Sequence, residues 1–434
     1  MPTILLNPVI ISIVLLCVMC ICKVNVLLSI LVSAFVAGLI SGLGVEDIMH
    51  TFINGMGGNS ETALSYILLG TFAAAMTDTG VTAMLGAGIS KVIKENKYLL
   101  LLLVIFLAMA SQNIIPIHIA FIPILIPPLL GLMNKLKIDR RAVACALAFG
   151  LKAPYITLPI GFGLIFQNLI KSSMADSGFV VTSSQIWQSN VILGLGMLVG
   201  LLVALFISYR KPREYSFVEA NAKFETSEKF GKKQIIMLVA IVATFVVQLI
   251  YKSLPLGALV GLGIIFTLGA VKHHKMDNIL NEGVYLMGYI AFVMLVASGF
   301  AEVLQATGGV DAFVNSVIPI LPMDKLVVSI ILLLVGLFVT IGIGTSFGTI
   351  PILAVLFVPI MIKLGFNAGE AIVVLSAAAA LGDAGSPASD TTLGPTAGLN
   401  ADGQHNHIYD TCIPTFLHFN IALIVFALLG VVLF

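Results

Sequence analysis

The sequence predicts an all-α polytopic membrane protein made of two inverted-topology repeats, each with a hairpin and a broken helix. Three observations predict it. Of 434 residues, 59% are apolar and only 10% charged, against about 25% charged in a soluble domain, and the mean hydropathy is +1.10. Apolar runs long enough to cross a ~30 Å hydrocarbon layer recur along the whole chain. The runs also repeat in order at an offset of about 229 residues, with loop charges that change sign between the halves.

The same figures exclude other classes. So few charges cannot cover a water-soluble globule of this size, and a net charge of +1 offers no basic face to nucleic acid. The five cysteines (Cys17, Cys20, Cys22, Cys145 and Cys412) are odd in number and sit in or beside apolar runs. They read as small hydrophobes rather than a disulfide or zinc framework. No G-x-x-x-x-G-K-[ST] occurs, which argues against ATP-driven pumping. No cofactor is expected.

The first run, residues 4–22, follows an N-terminus without a basic region and reads as a retained span. Runs at 24–43, 62–88, 98–134, 141–170 and 189–209 complete an N-terminal transmembrane repeat, 1–209. The linker 210–233 carries seven Lys/Arg, and a C-terminal repeat, 234–434, follows with runs at 234–250, 253–271, 284–304, 326–362, 369–398 and 412–434. The runs 98–134 and 326–362 have about twice the needed length and are broken by Pro and Gly, so each reads as a hairpin entering and leaving on one side. Within the repeat, Ile122-Pro123-Ile124-Leu125 matches Ile350-Pro351-Ile352-Leu353.

Charge then relates the halves. The loop with Glu46 and Asp47 is acidic, while its counterpart holds Lys272 and Lys275; Lys91, Lys94 and Lys97 precede the first hairpin, but only Asp324 and Lys325 precede the second. With the linker in the cytoplasm, Lys171, Lys252, Lys325 and Lys363 fall outside, Lys152 falls at membrane depth, and the remaining 17 of 22 basic residues fall inside. That distribution obeys the positive-inside rule only if the halves have opposite topology, which places both termini outside a cell (inner) membrane. Inverted repeats with broken segments at matching positions are the signature of a secondary transporter.

Ionisable groups at bilayer depth cost roughly 2.5–3.5 kcal/mol each and default to function. The richest stretch runs from Leu381 to Thr392, where Gly385 and Pro387 cannot sustain a helix. Unwinding frees carbonyls, and Asp383, Ser386, Ser389, Asp390 and Thr391 add hard oxygens suited to dehydrated sodium, with a proton competing for the carboxylate. Asp390 could equally be a solvated helix cap. The second hairpin breaks at Gly342–Thr349, where Thr345, Ser346 and Thr349 form a polar tip. The first breaks near Ser111, Gln112, Asn113 and His118. Lys152 lies opposite the Asp383 element and invites a charge pair with it or a hold on a substrate carboxylate; snorkelling is the bland alternative. His118 and Asp78 are candidates for a proton path, or for packing and capping respectively. Glu302 lies near a span end. His273, His274, His405 and His407 lack metal-ligand spacing.

Gly344-Thr345-Ser346-Phe347-Gly348-Thr349 and Gly382-Asp383, followed by Ser386-Pro387 and Ser389-Asp390-Thr391-Thr392, resemble the paired motifs of the NhaC-type sodium/proton antiporter family of the ion transporter superfamily. The resemblance implies re-entrant hairpins and a cation site where hairpin and unwound helix meet, with sodium and protons as partners besides the lipid bilayer. It also allows a homodimer. Phe347 stands where that family usually has Trp, and the short chain resembles a YuiF-like branch regarded as amino-acid transporters. The expected function is therefore sodium/proton antiport, with sodium- or proton-coupled uptake of a small amino acid as the alternative. An intramembrane aspartyl protease is remote, because Ala380 breaks the G-x-G-D pattern around Asp383. A passive channel lacks the expected pore ring.

Overall fold

Most helices of this chain are apolar on every side, so small residues rather than an apolar stripe decide where they meet. Every residue from Ala142 to Ile156 except Phe149 is buried, and so is each from Glu370 to Ala380. Runs of Ala and Gly let the backbones approach closely there.

The computed structural model describes residues 7–22, 24–81, 96–113, 122, 126–216, 231–251, 253–343, 345–387 and 389–434. His118, the tip of the first hairpin and the middle of the linker lie outside the described residues, as does the side chain of Asp390. The first half comprises α1 (Pro8–Ile21), α2 (Val26–Ile40), α3 (Val45–Met56), α4 (Ser60–Asp78), α5 (Lys97–Asn113), α6 (Leu130–Lys135), α7 (Arg140–Thr157), α8 (Phe162–Asp176) and α9 (Ser183–Ser208). The second comprises α10 (Lys232–Tyr251), α11 (Leu254–Thr267), α12 (Met276–Ala306), α13 (Gly309–Val317), α14 (Lys325–Ile343), α15 (Ser346–Lys363), α16 (Ala368–Ala380), α17 (Asp390–Leu399) and α18 (His407–Leu433). Among the described residues there is no strand.

Among the described residues, five helices are long and apolar enough to cross a membrane alone, namely α9, α10, the Met287–Ala306 part of α12, α15 and α18. The pair α7 and α8, bent by 46° at Leu158–Gly161, makes a sixth. The protein is thus a multi-pass membrane protein, and among the described residues some apolar runs are shorter or broken helices. The run 369–398 is an example. It is two half-helices, and the 13 residues of α16 rise only about 20 Å at 1.5 Å each. The acidic stretch around Glu46 is also no loop. It starts α3, where Glu46 and Asp47 occupy the first turn and suit the positive end of the helix dipole, while Ile48 and Phe52 turn inward.

Helix α12 packs along α2, α3 and α4, and α11 packs on α4 and α10; α7 packs on α5, α9 and α17, and α16 on α9, α14, α15 and α18. Each half therefore contributes its early helices to one group and its late helices to the other. Helix α15 touches both, against α12 on one side and against α8 and α16 on the other.

One end of the second group is clamped by charge. The guanidinium of Arg140 at the start of α7 is fully buried. It forks onto the Asp402 carboxylate and donates to Leu399 O at 2.8 Å and Asn134 Oδ1 at 2.9 Å. Burial alone would raise the Asp402 carboxyl, but Arg140 holds it below the usual range. Arg213 reaches Asp410 at 2.8 Å, and Tyr215 Oη accepts from Arg140 N at 2.9 Å. The start of the linker thus straps the start of α18 to the start of α7.

His405 completes this end, buried with Nε2 2.7 Å from Thr411 Oγ1. Burial pushes its imidazole down to about 4, against the pull of Asp410 and with help from Arg140 and Arg213. The unfolded chain, titrating near 6.5, therefore binds a proton that the folded chain refuses between those values. Stability is full above pH 6.5 and falls as pH drops toward 4. Thermal unfolding of purified protein across pH 4.5–7 is expected to show this slope, and His405→Gln is expected to flatten it. An equal slope in the variant would assign the loss to other groups.

Candidate cation site at the broken helices

Helix α16 ends because the chain after it demands positive φ twice, at Gly382 (+82°) and Gly385 (+111°). Gly385 has a second reason to be glycine, since a Cβ there would come within 2.5 Å of Phe416 Cβ. Pro387 then prevents renewed helix, and α17 begins only at Asp390, capped by the Ser389 side chain on Thr391 N. The gap places Asp383 inside the protein, 3% exposed.

Three segments meet on its carboxylate. Lys152 of α7 forms an ion pair with Oδ2, and Ser346, the first residue of α15, donates its hydroxyl to the same oxygen at 2.5 Å. The Ser389 hydroxyl donates to Oδ1. Thr391 donates to the Asp383 backbone carbonyl at 3.0 Å and lies 2.6 Å from Ser389 Oγ. The Lys152 ammonium, itself 3% exposed, also reaches Ser346 Oγ and Tyr155 Oη, both at 3.3 Å, and stands over the Tyr155 ring. A buried ion pair persists only when further hydrogen bonds complete both partners, and these hydroxyls do so.

Aromatic rings pack beside the hairpin tip. Phe347 meets Tyr155 and Tyr66 with ring centres 5.5 and 5.6 Å apart, and Phe162 and Phe166 lie slightly farther away. This layer lowers the dielectric around the charge pair and so strengthens its attraction.

Of the sequence candidates, the structure brings Asp383, Ser346, Ser389, Thr391 and Lys152 together. Ser386 is buried in the same turn, donating its N–H to Gly382 O. Thr349 commits its hydroxyl to Thr345 O at 2.7 Å, and Thr345 precedes α15 without a side-chain cap; both shape the tip. Asp78 ends α4 and pairs with Lys275, so it joins a different cluster. Glu302 is exposed. Asn113 lies at the other break, its backbone against Gly161.

Sequence reasoning missed Asn420 and gave Thr392 a place in the motif but no role. Asn420 accepts from Gly382 N at 3.3 Å and donates to Ala384 O at 3.2 Å, while Thr392 donates to Ser386 O at 2.6 Å. Asn420, a polar residue in an otherwise apolar C-terminal run, carried a readable signal. The first half repeats its bond: Asn190 donates to Ile156 O at 3.2 Å, both residues lying about 230 positions before their counterparts.

A model described as the Na+/H+ antiporter family matches residues 146–431, and one described as the Na+-H+ antiporter family matches residues 7–93. An uncharacterized membrane protein of Vibrio parahaemolyticus is 46% identical over 434 residues, covering 97% of this chain and 98% of its own. A Bacillus subtilis protein, YuiF, provisionally named an amino acid transporter, is 42% identical over 436 residues with the same coverage. Among solved structures, the YdaH transporter of Alcanivorax borkumensis, described as having an unusual topology, superimposes with a TM-score of 0.59 over 90% of this chain and 88% of its own, at 12% identity. That likeness is one of fold.

Proposed function

The chain belongs to the Na+/H+ antiporter family, and from that premise we propose that this membrane transporter exchanges sodium for protons at Asp383. The observation that carries the reading is the buried Asp383 carboxylate, held by one ammonium and several hydroxyls drawn from α7, α15 and the α16–α17 break. A hydroxyl that donates to a carboxylate keeps lone pairs for a cation. Sodium can therefore replace the Lys152 ammonium among the same oxygens. An ammonium left buried without its counter-charge gives up its proton, so sodium entry and proton release become one event.

The halves are inverted repeats in this reading, supported by the recurring helix order and by the matching bonds of Asn190 and Asn420. The basic end around Arg140 and Arg213 faces the cytoplasm, as the positive-inside rule favours. The second reading, cation-coupled amino-acid uptake, has Lys152 in its favour, because an ammonium beside a polar tip can hold a substrate carboxylate. The 42% identical YuiF points the same way.

Proteoliposomes with an internal pH dye separate the two. Sodium or lithium added without amino acid is expected to drive proton flux. Silence with both ions, together with labelled amino-acid uptake that requires a cation gradient, would replace the antiporter with the permease.

A further inference from the structure

Three residues with amide side chains meet at the first-half break, Leu158–Gly161, each with its oxygen buried and without a donor among the described residues. Asn190 is fully buried and Gln167 is 2% exposed; they donate their NH2 groups to Ile156 O and Thr157 O at 3.2 and 3.1 Å. Asn113, 5% exposed, donates to Met109 O, and its backbone abuts Gly161. A carbonyl only accepts, so these bonds fix which end of each amide carries nitrogen. The oxygens of all three have no partner among the described residues. The Asn190 and Gln167 oxygens each share a carbon with a nitrogen anchored on the break, and Asn113 is brought to it by its backbone against Gly161.

The second half shows what is missing. There Asn420 makes the same donation, to Ala384 O, and its oxygen also accepts from Gly382 N. Moving back 228 positions takes Ala384 to Ile156 and Gly382 to Pro154. Proline has no N–H, so Asn190 keeps the donation and loses the partner for its oxygen. Buried polar groups are nearly always satisfied, and each exception asks for an explanation. A set that only accepts suits a cation and repels an anion. With neutral oxygens and no carboxylate in the set, it suits a dehydrated monovalent ion rather than a divalent one.

We propose that the first half holds a second sodium ion, bound by Asn190 Oδ1, Gln167 Oε1 and Asn113 Oδ1. This rests on sodium as cargo and adds a site whose ligands carry no exchangeable proton. Its occupancy is therefore indifferent to pH, whereas the site at Asp383 competes with protons.

Equilibrium binding of radioactive sodium to the purified full-length protein tests it. The expected counts per chain are two for the unaltered protein, one for Asn190→Leu, one for Asp383→Asn and none for the double variant. Circular dichroism and gel filtration establish that each variant is folded, with Gln167→Leu standing in should Asn190→Leu fail to fold. A count in the tested amide variant equal to that of the unaltered protein would overturn the second site and mean that water fills it. A count of one that falls to zero in Asp383→Asn would also overturn it, leaving the Asp383 reading intact. A count lowered by the amide variant but unchanged in Asp383→Asn would support the second site and remove the first.

Discussion

Asp383→Asn is expected to reduce sodium-driven proton flux in proteoliposomes by at least about 100-fold, equivalent to some 2.7 kcal/mol of lost stabilisation at 1.36 kcal/mol per decade. The substitution is nearly isosteric, but the amide keeps only one acceptor oxygen, so one of the Ser346 and Ser389 hydroxyls meets an NH2 and must turn to accept from it. What disappears is the negative charge, and with it the group that balances either Lys152 or a dehydrated cation. Because the size survives and a hydroxyl can accept as well as donate, the loss would mark charge rather than shape. Asp383→Glu is expected to keep the charge but displace it by one methylene from Ser389, with intermediate flux. Flux in Asp383→Asn near that of the unaltered protein would place the transported ion elsewhere.

Much of this site was legible because a charge in an apolar run has few innocent explanations. Asp383 and Lys152 stood out by type alone, and Gly385 with Pro387 announced that the helix around them breaks. The repeat read from the sequence predicted that the two elements lie opposite each other, and the two side chains form an ion pair. The remainder depended on geometry that spacing does not encode. Asn420 lies 37 positions beyond Asp383 and bonds its neighbours Gly382 and Ala384 only because α18 folds back along α16. The two half-helices of the run 369–398 merged into one apparent span, since hydropathy does not register a turn made of small residues. The Arg140 clamp hid at a span edge, where a basic residue reads as an interface marker. Its burial emerged only with the partner Asp402, 262 positions away.

The Lys152–Asp383 pair makes a second, separable prediction in a double-mutant cycle. Removing either partner alone leaves a charge buried without its opposite, which costs about 3–5 kcal/mol when the remaining group stays charged. Lys152→Met and Asp383→Asn are each expected to lower the thermal unfolding temperature in detergent clearly. Combining them removes both charges, so the double variant is expected to recover part of that loss, with a coupling of about 1–3 kcal/mol. Its transport should remain absent, because no carboxylate is left for the cation. Lys152→Met alone keeps Asp383 and is expected to go on binding sodium while losing tight coupling, read as a fall in protons released per radioactive sodium taken up. Stability effects that add within about 0.5 kcal/mol would mean the two side chains do not meet in the membrane. An unchanged proton-to-sodium ratio in Lys152→Met would move the exchanged proton to another group while leaving Asp383 in place.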